Sequence, residues 1–190
     1  MECLIYFLDT IYPISSELKQ YLFQHLKVHM VLKRQYLLRA GHVCRNIYFI
    51  KNGLVRCFYL KGDVEVSSWF MKEGDVIISV ESFFGQLNSY ESIQALEDCE
   101  LHGIEYNQLQ FLYRTFPEFN FIGRVLTEKY YCKSEQRLYA MRMMRARERY
   151  EHLLENHPEL ILRVPAKYIA SYLGITEQHF SAIKAKKLIS

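Results

Sequence analysis

The sequence predicts an α+β chain: a small β-sandwich or barrel, then a long helix, then short helices to the end. Three observations carry that expectation. Short apolar runs punctuated by glycine turns fill the stretch from Ile47 to Ile104. A proline-opened helical stretch begins at Pro117. Two amphipathic segments flank Gly174 near the C-terminus. These divide the chain into parts at 1–116, 117–144 and 145–190.

Met1 through Leu8 is apolar but short, and Glu2 and Asp9 interrupt it, so it reads as a packing helix and not a targeting segment. Ser15-Ser16-Glu17-Leu18 starts a helix whose inner stripe is Leu18, Leu22 and Leu26. After His29 the period changes to that of strands. Ile47-Tyr48-Phe49-Ile50 is a strand, and Asn52-Gly53 predicts a two-residue hairpin with Leu54 to Leu60 as its return. Lys61-Gly62-Asp63 turns, Val64 to Met71 alternates, and Glu73-Gly74-Asp75 turns again before Val76-Ile77-Ile78. Ser92 to Ile104 carries two further short strands.

Strand character stops near Ile104. Thr115-Phe116-Pro117-Glu118 reads as a capping box with proline in the first turn. A long helix is expected from there to about Met144, with Phe121, Val125, Tyr131, Leu138 and Met141 as a partly apolar stripe. The helix is too long for a small barrel to bury. A second copy of the chain opposite the stripe is one explanation, giving a homodimer; packing within the chain is the other. Arg145 to Pro158 is a further helix, ended by its proline, with Tyr150, Leu153 and Leu154 facing in.

The last segment has the grammar of a helix-turn-helix. Pro165 suits a first turn, and Ile169, Ala170 and Leu173 repeat at helical spacing. Gly174 ends the first helix, and Thr176 is a good N-cap for the second. Phe180 and Ile183 turn inward there. Glu177, Gln178, Ser181, Ala182 and Lys184 are left facing out. In such motifs the N-terminal part of the second helix reaches base edges in the major groove. Gln178 suits an adenine edge and Glu177 the N4 amine of cytosine. Lys184, Lys186 and Lys187 would supply phosphate contacts, which position without specifying. A plain helical hairpin with a solvated polar face is the competing reading.

Charge is distributed in support of the first reading. From Lys133 to Ser190 there are 11 Lys and Arg against 6 Glu, a net +5, while the remainder holds 13 against 15, a net −2. The five cysteines are scattered with no C-x-x-C, which fits a reducing cytoplasm. No apolar run is long enough to span a membrane. Barrel enzymes need a metal cluster, commonly with a His-x-His pair. The seven histidines make no such pair, and no catalytic triad is visible, so an enzyme on a cupin-like barrel is a remote alternative and no cofactor or metal is expected.

The order of barrel, long helix and helix-turn-helix resembles the Crp/Fnr family of bacterial transcription regulators. The N-terminal part of the resemblance rests on Gly41, Tyr48-Phe49-Ile50, Gly53, Val55-Arg56 and Gly74-Asp75. It implies a double-stranded β-helix (jelly-roll) sensor of the cyclic-nucleotide-binding type, a dimerisation helix and a DNA-binding domain. It also implies double-stranded DNA and RNA polymerase as partners.

The departures from the family are informative. Cyclic-nucleotide-binding relatives place a glutamate and, about ten residues on, an arginine at positions that fall on Ser79 and Ser89 here. Neither serine neutralises a phosphate, and losing a charge-assisted bond of that kind removes about 1.5–3 kcal/mol. Glu81 and Glu91 would repel an anion. Tight cAMP or cGMP binding is therefore not expected. A pocket lined by Ser79, Glu81, Ser82 and Ser89, with Ser134 or Glu135 of the long helix as a lid, is expected to hold another small-molecule effector or its own aromatic side chains. Family readers often carry arginine where Ala182 sits, and the chain stops soon after Lys187, so no wing is expected. These two departures keep open a ligand-sensing or interaction protein that has lost sequence-specific DNA binding.

Overall fold

The computed structural model describes residues 2–187, with side chains described as far as 185. Two short helices come first, α1 (Glu2–Ile11) and α2 (Ser16–His25). The Ser15 hydroxyl caps α2 by accepting from the Leu18 amide at 3.2 Å, and Leu18 and Leu22 are fully buried.

Eight strands follow. They are β1 (Lys27–Val31), β2 (Tyr36–Leu38), β3 (Asn46–Asn52), β4 (Val55–Lys61), β5 (Val64–Met71), β6 (Val76–Ile77), β7 (Glu91–Ala95) and β8 (Cys99–Glu105). They form two four-stranded antiparallel sheets, ordered β1-β8-β3-β6 and β2-β7-β4-β5. This is the predicted α+β class and double-stranded β-helix.

The hairpin expected at Asn52-Gly53 is not formed. β3 pairs with β8 and β6, whereas β4 pairs with β5 and β7, so Gly53 carries the chain from one sheet to the other. Its φ is +103°, and a Cβ there would stand 2.6 Å from Cys99 Sγ and 2.7 Å from the Asp98 carbonyl. The two-residue hairpin is the next turn, Gly62-Asp63, where Lys61 pairs with Val64. A local turn signal does not say which sheet the departing strand joins.

Three helices flank the sheets: α3 (Val80–Gly85), α4 (Tyr106–Thr115) and α5 (Pro117–Met143). The capping box predicted at Thr115 is replaced. Thr115 ends α4, Phe116 occupies the N-cap without a side-chain bond, and Glu118 instead accepts from the Ser15 hydroxyl at 2.6 Å. Proline in the first turn of α5 holds. Phe119, Ile122, Leu126 and Tyr130 turn toward the core of the strand region. Phe121, Tyr131, Leu138 and Met141 of the predicted stripe are exposed on this chain, and Val125 is half-buried.

The C-terminal helices are α6 (Ala146–Asn156), α7 (Pro158–Arg163), α8 (Ala166–Tyr172) and α9 (Glu177–Lys187). Pro158 both stops α6, as expected, and opens α7 at its first position, where a missing N–H costs nothing. These helices share one apolar cluster with Leu54, Phe70 and Leu96 of the strand region. Leu54 is fully buried there, a contribution of about 1.5–3 kcal/mol.

Candidate DNA-reading surface and effector pocket

The α8–α9 pair is built as a tight turn. Gly174 has φ +67°, the left-handed value that ends α8, and Thr176 Oγ1 accepts from the His179 amide at 3.2 Å to cap α9. Ile169, Ala170, Leu173 and Phe180 are buried, with Phe180 edge-on to Tyr150 at 5.6 Å. Glu177, Gln178, Ser181, Ala182 and Lys184 are exposed. The side chains of Lys186 and Lys187 lie outside the described residues. Met141 at the tip of α5 closes on the turn: a Cβ on Gly174 would meet its methyl carbon at 2.8 Å.

Polar contacts dock the pair on the sheet. Ser171 Oγ accepts from the Ser67 amide and donates to the Glu65 carbonyl, both at 2.9 Å. Arg56 is fully buried beneath them. It bonds Glu65 at 2.5 Å and Gln94 at 2.9 Å, and its guanidinium stacks 3.6 Å from the centre of the Tyr168 ring. Arg163 of α7 reaches Glu97 at 2.6 Å and Glu73 at 2.8 Å, each through two nitrogens. The hydrogen bond from Arg163 outweighs burial and holds the Glu73 carboxyl down at about 2.

The Gly74-Asp75 turn is tied to the long helix. The Tyr130 hydroxyl accepts from the Val76 amide at 2.7 Å and donates to Asp75 at 3.3 Å, and Lys133 stands 3.6 Å from the same carboxylate. Burial, with the Asp75 charge, holds the Tyr130 phenol well above its ordinary range.

Beside this junction lies a cavity of about 450 Å³, bounded by residues of both sheets and of α1, α4 and α5. The predicted pocket residues divide. Glu81 and Ser134 stand on its wall. Ser79, Ser82 and Ser89 are buried but turned to internal bonds. Ser79 and Ser89, the two positions where the family would place its nucleotide anchors, bond each other at 3.0 Å. Ser89 also donates to the Glu91 carbonyl at 2.8 Å, and Ser82 joins the Cys44 amide to the Leu87 carbonyl. Glu135 faces a separate groove between α5 and α6, near Arg137 and Arg149.

Sequence reasoning did not find most of the wall: Tyr59, Trp69, Tyr90 and Tyr130. Period-two alternation in β4 and β5 was the available signal, since Cys57 and Tyr59, and Trp69 and Met71, share faces. Glu91 stands on the wall too, nine-tenths buried, with the Tyr59 hydroxyl hydrogen-bonding its carboxylate. Burial outweighs hydrogen bonding and pushes its carboxyl above the usual range. A hydrogen bond to Glu81, then burial, pushes the Tyr90 phenol up to about 12. Among the described residues, no group of metal-ligating side chains stands together, and no helix is long and apolar enough to cross a membrane.

Residues 28–116 match the family of the cyclic nucleotide-binding domain. No curated protein is detectably similar in sequence. Among solved structures, the c-di-GMP responsive global regulator CLP of Xanthomonas campestris superposes with a TM-score of 0.74 at 18% identity, covering 92% of each chain. FixK2 from Bradyrhizobium japonicum gives 0.73 at 18% identity, over 85% of this chain and 83% of that one. A transcriptional regulator of the Crp/Fnr family from Eubacterium rectale gives 0.72 at 14% identity, over 93% and 84%. Residues 28–116 are thus similar to the cyclic nucleotide-binding domain, and the fold of the chain is that of these solved regulators.

Proposed function

We propose that this chain is a DNA-binding transcription regulator of the Crp/Fnr type that reads DNA as a homodimer and does not respond to cAMP or cGMP. The observation that carries the reading is the capped α9 helix, whose polar face is left in solvent while Phe180 packs inward. Glu177, Gln178 and Ser181 would meet base edges, with Thr176 and the lysines at 184, 186 and 187 on phosphates. Exposed α5 side chains would form the seam between copies, setting two readers about one helical turn of DNA apart, ~34 Å. In this reading 1–116 senses, 117–144 dimerises and 145–190 reads, in the cytoplasm, with RNA polymerase as a further partner.

The Ser79–Ser89 pair supports the negative part. Where a cyclic phosphate would need a cation, two hydroxyls satisfy each other and a carboxylate lies alongside. Calorimetry with cAMP and cGMP is expected to show no micromolar binding; such binding would overturn this part. A map of bound genomic DNA, followed by shift assays across salt, tests the rest. Specific binding with a steep salt slope is expected. Glu177→Ala with Gln178→Ala is expected to flatten operator preference, by about 1–3 kcal/mol for each base that is no longer read. The second reading, a sensor that has lost its DNA, draws on the exposed Ala182, which brings no hydrogen bond to a base; it predicts no salt-dependent shift on any promoter.

A further inference from the structure

The cavity beside α5 has the opposite chemistry to a phosphate pocket. Most of its wall is aromatic or aliphatic, and its charged groups are two carboxylates. Glu91 is 9% exposed with the Tyr59 hydroxyl bonding it, and Glu81 bonds the Tyr90 phenol. Among the described residues no lysine or arginine stands on the wall. His102 does, and burial lowers its pKa, disfavouring its charged form. A carboxylate in an apolar chamber without a counter-ion is costly, and aromatic faces around it attract a cation electrostatically.

We propose that the cavity takes an organic ammonium with an apolar body, its charged head at the Glu91 carboxylate and its body along the aromatic wall. The serine pair that bars a phosphate is no obstacle to this ligand, because it brings no positive charge beside Glu91. A cationic effector would supply the missing counter-charge and tighten the contact between the strand bearing Glu91 and α5. This rests on the reading of the cavity as an effector site.

Trp69 is the chain's single tryptophan and lines the cavity, so its fluorescence reports occupancy. The full chain is titrated with n-octylammonium, 1-octanol and octanoate, three probes of nearly equal shape. Octylammonium is expected to bind at least about tenfold tighter than octanol, with octanoate weakest. In Glu91→Gln, octanol affinity should persist while the ammonium preference falls to within about twofold. Should that variant not fold, the wild-type ranking alone decides. Octanol or octanoate equal to or tighter than octylammonium overturns the proposed ligand class while leaving the cavity a binding site. No saturable response to any probe overturns the effector-site reading itself and the proposal with it.

Discussion

Single residues set where the chain changes direction, and Gly53 is the sharpest instance. It moves the chain between sheets at φ +103°, with Cys99 and Asp98 packed where a side chain would begin. Gly53→Ala is expected to cost more than about 2 kcal/mol, because strain and overlap add; urea unfolding measures it, and a decrease below about half a kcal/mol would contradict the crowding. Asn52-Gly53 announces a turn in the sequence, but the crossing depends on Cys99, distant in the chain. Glu91 shows the same limit. Its charge is plain in the sequence, yet its place on a cavity wall depends on how β7 lies against β4.

At the scale of elements, α7 is joined to two strand-region turns through one side chain. Arg163 clamps Glu73 and Glu97, and Glu73 titrates at about 2, below its ordinary 4.5. A depressed carboxyl contributes stability that is complete above the unfolded pKa and is lost as pH falls through the folded one. Wild type is therefore expected to exceed Arg163→Gln in stability at pH 6, with the gap closing between about 4.5 and about 2. Acid unfolding followed by circular dichroism reads this; a gap constant down to about pH 2 would mean that the clamp does not stabilise the fold through the Glu73 charge. Elements with a strong period or cap were legible in the sequence: α2 from Ser15, α5 from Pro117, and the α8–α9 turn from Gly174 and Thr176. β1, β2, α3 and α4 were not, because short segments carry too few repeats to declare a period, and partners far away in the chain decide them.

At the scale of the whole molecule, α5 is apolar on two faces, one packed on the strand region and one exposed at Tyr131 and Leu138. Leu138→Glu is expected to convert a dimer to a monomer in sedimentation, and to weaken operator binding by at least about tenfold as bivalency disappears. Fold stability should change by no more than about 0.5 kcal/mol, because Leu138 is already exposed in the single chain. A wild type that sediments as a monomer at operator-binding concentrations would refute the seam. The shared cluster of Leu54, Phe70 and Leu96 with Ile169 and Leu173 bears on how such proteins can be recombined. The strand region and the C-terminal helices here are not beads on a string. A chimera joined at the end of α5 would strip apolar side chains from both halves. Transplanted C-terminal helices would have to bring the β4–β5 hairpin and the turn before β8 along with them.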